Sequence, residues 1–426
     1  MKKSEVIKAI IIIAFIYIGL QVFVAPAYLD REERNLKISA GQFERLLKLL
    51  SALQLQVFVI DPELLSDTQL SWEDPSHLVS GRKSITFGHL HEIHTKHQME
   101  RYRLHFETIG YRYVSTASFS PVTGLSSPSH HFLCSQALTV HVVVWFNRTR
   151  DTVWTDQVNW LYPSQPEDSC HLDGKYFYNY SRLFDSFNLT KRGAFLVPSP
   201  TEKFLQEVPD SQLVECNRTR ARQYMDKYGQ NYTEEDKVFM RKARQTVSRA
   251  KQYLDEMGIP FWLSSGTCLG WFRQCDIIPY SKDVDLGIFI KHFNADLIHA
   301  FEQGGFFLKH IFGKVSDSYE LSFQSGDIKL DLFFFYEAAD HAWNGGTHHE
   351  TGQKYKYIFP KFSLCWTIFL DLKVRVPCPS QPYIEANYGK NWLEPVHVWE
   401  WNRSPPNVRD NGLWPQEEWK EVIQVF

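Results

Sequence analysis

The sequence carries no excess of positive charge: 46 lysines and arginines stand against 49 aspartates and glutamates, a net charge of −3. Polyanions are held by a basic field and counterion release, so nucleic acid is excluded as a partner. Zinc-type cysteine spacing is missing too. Of seven cysteines, Cys268 and Cys275 are separated by six residues and Cys365 and Cys378 by twelve, whereas structural zinc sites commonly use about two to four. Repeats and low-complexity runs are absent, which argues against a solenoid. What is present is 43% hydrophobic and 15% aromatic residues in 426, a composition that folds rather than stays disordered. That length exceeds one domain of about 100 to 200 residues, and two folded units are expected.

Lys2, Lys3 and Lys8 precede an apolar run from Ala9 to Ala27, interrupted seriously by Gln21. Spanning a bilayer takes about 20 residues and a cleaved leader core about 7 to 15, so this run reads as a signal anchor with residues 1–8 cytoplasmic. Ala25-Pro26-Ala27 is the competing cleavage signature, and Arg31, Arg34 and Lys37 blur the positive-inside test. The sequons decide the orientation. Asn147, Asn179, Asn188, Asn217 and Asn231 each open an N-x-S/T triplet within one stretch, where chance gives about two in the chain, and such acceptors are useful on a lumenal segment. A sixth, Asn402, is followed by Pro405 and is a poor acceptor. In an oxidising lumen the cysteines default to disulfides, and an odd count leaves at least one unpaired or joined to a partner.

Apolar residues at helical spacing (Phe43, Leu46, Leu47, Leu50, Leu53) predict a stem helix within residues 28–55, leading into a strand from Gln56 to Ile60. Residues 56–230 then read as a mixed or mainly β lumenal domain, with Leu138 to Trp145 a clear strand. His89, His91, His94 and His97 lie close together there, but without carboxylate or cysteine spacing they read as surface residues. A helix is predicted from Asp236 to Met257, burying Phe239, Ala243, Val247, Ala250, Tyr253, Leu254 and Met257, and ended by Gly258. Its run of Arg241, Lys242, Arg244, Arg249 and Lys251 is the solvated face. The strand Phe261 to Leu263 and a small-residue turn around Gly266 follow and open the second domain, residues 236–426.

The chemistry concentrates at Asp283 and Asp285, which begin a strand, and at Asp331, set within the apolar run Leu330 to Tyr336. Period two puts the doublet on one strand face, where two carboxylates can share Mg2+ or Mn2+. A lone D-x-D is expected about once by chance in a chain of this composition. The context is what counts. An acid in a run as apolar as that of Asp331 is costly unless paired or metal-bound, and a glycine turn lets backbone N–H groups approach phosphate. The order of glycine turn, doublet and buried third acid matches an α/β (α+β) nucleotidyltransferase-like catalytic domain.

The stretch from Trp262 to Cys275, the doublet with Ile277 to Gly287, and the segments Lys329 to Phe335, Trp343 to Gly346, Phe359 to Phe362, Tyr383 to Lys390 and Arg403 to Asn407 resemble the LicD-type phospho-alcohol transferase family. That family includes bacterial phosphocholine transferases and fukutin-related protein. The resemblance covers residues 236–426 and implies transfer of a phospho-alcohol from a cytidine diphosphate donor. For the branch whose motifs recur here it implies CDP-ribitol, a ribitol 5-phosphate product, and as acceptor the N-acetylgalactosamine of the phosphorylated O-mannosyl glycan on α-dystroglycan. It also implies a single-pass type II protein of the Golgi membrane working beside fukutin-related protein and other Golgi glycosyltransferases. Carried over residue by residue, Asp283, Asp285 and Asp331 match the metal carboxylates and Gly266 with Thr267 the glycine turn. Arg273, just beyond that turn, is the candidate for donor phosphate, and Asp285 the choice if one carboxylate acts as general base. Ser281 and Lys282 stand where bacterial members commonly have acids. Tyr280, Trp271, Trp343 and Tyr388 are candidates to stack on cytosine or sugar, against the commoner role of core aromatics. Two other readings compete: a D-x-D glycosyltransferase using a nucleotide sugar, which does not need Asp331, and a silent Golgi scaffold, which has no reason to bury it.

Overall fold

A computed structural model describes residues 40–91, 102–119, 126–157, 177, 179–229 and 232–426. The proposed anchor at 9–27, the tail before it, His94, His97 and Asn231 lie outside these. Among the described residues no helix is long and apolar enough to cross a membrane. The chain divides into two compact units, one ending at Ser211 and one running from Gln212 to Phe426.

In the first unit, helix α1 (residues 40–52) buries Phe43, Leu46 and Leu50, the face its apolar spacing specifies. The sheet is mixed and seven-stranded. Its order is β1 (Phe58–Val59), β2 (Ser84–Leu90), β5 (Thr139–Thr149), β4 (Ser126–Cys134) and β3 (Arg112–Phe119), with β6 (Thr152–Thr155) and β7 (Arg182–Asp185) continuing from β5. β2 and β5 run parallel; β8 (Asn188–Arg192) and β9 (Phe195–Ser199) form a separate hairpin. β5 is buried from Thr139 through Trp145, as its continuous apolar run requires. His89 Nδ1 lies 2.8 Å from the backbone carbonyl of Gln56 and His91 packs against Phe146. Asn147, Asn179, Asn188 and Asn217 are exposed, and Asn217 also caps a helix by accepting from the Arg220 amide at 2.9 Å.

The boundary falls earlier than the 230–236 expected from sequence, because helix α2 (Arg218–Tyr228) is tied into the second unit. The Cys216–Cys275 disulfide fastens its start, and the Arg220 guanidinium lies 3.8 Å from the Phe272 ring centroid. Gln212 and Val214 exchange 2.8 Å backbone hydrogen bonds with Trp366. Cys365 pairs with Cys378, Cys134 is also disulfide-bonded, and Cys268 is free and buried. Cross-linking stabilises by restricting the unfolded chain, more so for longer loops. Removing the Cys216–Cys275 bridge, of separation 59, is expected to cost about 4 kcal/mol, and the Cys365–Cys378 bridge, of separation 13, about 3 kcal/mol. Urea midpoints of the paired alanine variants measure both, and a larger loss from the shorter loop would contradict the account.

The second unit is built on an eleven-stranded sheet. Helix α3 (Glu234–Glu256) starts with a Thr233–Asp236 capping box, and its face of Ala243, Val247, Ala250 and Leu254 is fully buried. Phe239, Tyr253 and Met257 complete that face at its edge. Gly258 ends the segment at φ +65°, a conformation glycine adopts without the Cβ penalty. Lys242 and Arg244 of α3 meet Asp327 and Asp371 at the surface, whereas Arg249, expected on the solvated face, is half-buried, donating to Ser325 Oγ at 3.0 Å and lying 4.7 Å from the Phe306 ring centroid. β10 (Phe261–Leu263), helix α4 (Ser265–Gln274) and β11 (Asp283–Phe289) follow. β11 lies antiparallel to β10 and parallel to β14 (Ile328–Glu337). Beyond β14 come β13 (Asp317–Ser325) and β12 (Phe307–Lys314), both antiparallel to their neighbours. Helix α5 (Ser380–Tyr388) packs Tyr383 onto Phe359 and Phe335.

Candidate active site

Strand periodicity places Asp283 and Asp285 on one face of β11, and the parallel ladder sets Asp331 of β14 directly opposite Asp285. One oxygen from each of the three lies within 4.8 Å of the others, so the structure brings together the acids that sequence singled out. Asp285 is 5% and Asp331 3% exposed. Burial, and then the negative charges of Asp283 and Asp331, push the Asp285 carboxyl well above the ordinary carboxylate range. Burial likewise raises Asp283, opposed by the hydroxyl of Ser281, which donates to it at 2.5 Å. Ser281 thus orients the Asp283 carboxylate. Lys282 turns the chain into β11 at φ +65°.

One half-buried and two buried carboxylates repel one another unless a cation intervenes. Lys329 supplies part of that charge, with Nζ 2.8 Å from Asp331 Oδ2; burial works against its protonation, yet the carboxylate neighbours leave its pKa raised. Asp331 Oδ1, by contrast, is buried without a hydrogen-bond partner among the described residues. An unsatisfied buried carboxylate oxygen costs free energy. Oxygen donors, like charge and an orphan atom together fit a divalent cation. The burial and like charge that raise Asp285 are what a bound cation would offset.

The glycine turn works differently from the expectation. The Gly266 amide donates to Asp285 Oδ2 at 2.9 Å, and Thr267 Oγ1 accepts from the Asp285 amide at 2.9 Å. Gly266 fixes the Asp285 carboxylate and Thr267 its backbone, so the Gly266 amide is not open for phosphate. A Cβ at Gly266 would lie 3.0 Å from Ser281 Oγ and 3.3 Å from Asp285 Oδ2, so its smallness keeps this side of the cluster open. Arg273 lines the cavity but is 1% exposed. Its guanidinium is bonded to Gln274 Oε1 at 3.0 Å and Tyr280 Oη at 3.2 Å and lies 4.6 Å from the Tyr224 ring. It therefore holds Tyr280 in the wall and contributes fixed positive charge behind it.

The carboxylates sit in a cavity of about 560 Å³. Of the four aromatics proposed from sequence, Tyr280 and Tyr388 line it. Trp271 is core, its indole donating to Thr367 at 3.0 Å, and Trp343 stacks on Tyr336 outside the lining. Sequence reasoning missed His310, Glu320, Asn344 and the rim residues Trp392, His397, Trp399 and Trp401, all lining the cavity. His397 packs on Tyr280 and Trp399 on Tyr388, while Trp399 and Trp401 remain 37% and 43% exposed. Three tryptophans within ten positions from Trp392 to Trp401 were the available signal, since so dense a cluster of large amphipathic rings often faces a ligand.

A family model described as the LicD/FKTN/FKRP nucleotidyltransferase domain matches residues 258–379, which contain all three carboxylates. The chain is 41% identical over 412 residues to ribitol-5-phosphate transferase FKTN of Mus musculus, covering 90% of this chain and 87% of that one. With its Homo sapiens counterpart the identity is 42%, at the same coverage. Similarity to ribitol 5-phosphate transferase FKRP of Homo sapiens is more distant, 30% over 103 residues, covering 23% of this chain and 21% of that one. With the buried acids in the matched domain and the resemblance running through nearly the whole length, this chain belongs to the fukutin (FKTN) family.

Proposed function

We propose that this chain transfers ribitol 5-phosphate from CDP-ribitol to the terminal N-acetylgalactosamine of the phosphorylated O-mannosyl glycan on an α-dystroglycan-like glycoprotein. The observation that carries this reading is the cluster of half-buried Asp283 with buried Asp285 and Asp331 inside a cavity large enough for a nucleotide. The printed activity of FKTN relatives at 41% and 42% identity supplies the group transferred. In the reaction an acceptor hydroxyl oxygen bonds to the phosphorus that bears ribitol, the bond from that phosphorus to the bridging oxygen breaks, CMP leaves with its electron pair, and the hydroxyl proton passes to solvent.

Asp283, Asp285 and Asp331 would hold Mg2+ or Mn2+, which when bound neutralises charge on the diphosphate and the leaving CMP. Ser281, Gly266 and Thr267 keep the acids in place before substrate arrives, and such preorganisation is where charge-stabilising catalysis draws its effect. Lys329 and the fixed charge of Arg273 add positive potential on the same side. Tyr388, Trp399 and Trp401 offer faces for cytosine or sugar, with polar Asn344 and Asn387 at the wall. The apolar run at 9–27 and the exposed sequons support a type II Golgi orientation, with membrane-bound FKRP-type enzymes as working partners.

The test is to incubate the detergent-solubilised full chain with CDP-ribitol, Mn2+ and a synthetic phosphorylated O-mannosyl trisaccharide. A mass gain of one ribitol phosphate with equimolar CMP, abolished by EDTA, is expected. Transfer of a sugar from a nucleotide sugar, with CDP-ribitol left intact, would overturn the reading in favour of a D-x-D glycosyltransferase.

A further inference from the structure

The carboxylate site occupies one side of a row that continues across the sheet. In register, Asp285 of β11 faces Asp331 of β14, Asp331 faces Ser322 of β13, and Ser322 faces His310 of β12. Directly paired residues share a sheet face, so all four project to the same side. One step along, Glu320 of β13 is on that face as well, paired with Phe333 and Phe312. A ring nitrogen of His310 and one oxygen each of Glu320 and Asp331 lie within 4.8 Å of one another. All three residues line the cavity that holds the doublet.

We propose that His310, Glu320 and Asp331 form a second divalent-cation site, joined to the first through Asp331. Two observations beyond the cluster point to a ligand. Asp331 is 3% exposed, and its Oδ1 has no hydrogen-bond partner among the described residues while Lys329 holds Oδ2. Ser322, between His310 and Asp331 in the row, is fully buried, and its Oγ is likewise without a partner there. Buried polar atoms are nearly always satisfied, and here two orphans belong to directly paired residues of the row. The local backbone is shaped to present His310: the β12–β13 register shifts between Leu308 and His310 and again between Phe312 and Lys314, and such bulges re-aim side chains beside functional sites. Phe312 stacks on the imidazole at 4.0 Å and Glu320 meets its Nε2 at 3.3 Å, which fixes the ring plane.

One imidazole and two carboxylates suit Mn2+ or a zinc-like cation better than Mg2+, which prefers oxygen alone. This inference rests on the same cavity as the transfer reading, but it is measured without substrate. The full chain, stripped of metal, is titrated with Mn2+ and followed by electron paramagnetic resonance, with spin-echo modulation reporting a coordinated imidazole nitrogen. Two Mn2+ per chain are expected, one for each carboxylate group, with the nitrogen signal present. His310→Gln should retain a single Mn2+ and lose the nitrogen signal, whereas Asp283→Asn should keep it. Glu320→Gln, which preserves shape and packing, should weaken the nitrogen-coupled site about tenfold or more, and unchanged circular dichroism would show that the variants fold. A wild-type chain binding Mn2+ without nitrogen coupling, or a coupling that survives His310→Gln, overturns the proposal and leaves the transfer assay to judge the first site separately.

Discussion

Replacing Asp285 by asparagine should remove transfer, with kcat/KM falling about 10³-fold or more, and should at the same time make the metal-free protein harder to unfold. The first effect follows from losing a carboxylate at the centre of the cluster, directly opposite Asp331; a 10³-fold loss is about 4 kcal/mol of transition-state stabilisation. The second follows from electrostatics. A carboxyl whose folded pKa lies above its unfolded value favours the fold in its protonated state, and that advantage is lost as pH rises beyond the unfolded value. Burial and the neighbouring acids raise Asp285 well above the ordinary 3.8, so the wild-type fold is penalised as pH climbs from there to neutrality. Asparagine is neutral throughout and still offers an oxygen to the Gly266 amide. The stability difference should vanish at acidic pH, where both side chains are uncharged, and grow toward neutral pH. Saturating Mn2+ should reverse the order, since only the wild type gains binding energy from a metal its folded state holds tightly. Melting curves across pH, with and without Mn2+, check this, and an asparagine variant less stable than wild type in metal-free neutral buffer would defeat the account.

Gly287→Ala is expected to damage the site from beneath. A Cβ at Gly287 would lie 2.3 Å from Trp262 Cε2, and Trp262 has no exposed surface into which to retreat. Its indole is boxed by Phe289, Phe335 and Phe362, with ring centroids 4.7, 4.9 and 5.4 Å away. Overpacking of this kind costs about 3 kcal/mol. Because Trp262 and Gly287 are direct partners in the β10–β11 ladder, relief requires moving β11, and Asp285 is two residues along it. Urea unfolding should show the lost stability and Mn2+ titration a weakened metal site. Adding Trp262→Phe, which shortens the opposing ring, should restore part of both. An alanine variant with an unchanged midpoint would show that the strands separate freely there.

Much of this was legible in the chain because local chemistry fixes it. The α3 face is a 3.6-residue apolar period closed by a terminal glycine, and these signals need no distant partner. The doublet was legible for the same reason: period two alone puts Asp283 and Asp285 together. Asp331 was found through cost, since a charge inside Leu330 to Tyr336 demands compensation wherever the strand goes. His310 and Glu320 carried no such signal. Each stands in a strand of mixed polarity, ten positions apart, and only the β12–β13 pairing brings them to 3.3 Å. Gly266 was found for the wrong reason. A small residue before a helix suggests an open amide for phosphate, but whether that amide is open depends on a carboxylate nineteen residues away that comes to accept from it.

The amino-acid order by itself determined the α3 helix, the strands that carry the acids and the presence of three costly acids, because propensity, periodicity and the cost of burying charge act over a few residues. Tertiary structure alone decided which acids meet, which oxygen of Asp331 is left unpaired, where the aromatic rim closes over them, and that His310 joins from three strands away. Those outcomes depend on strand order and register, and register is set by packing across the whole sheet.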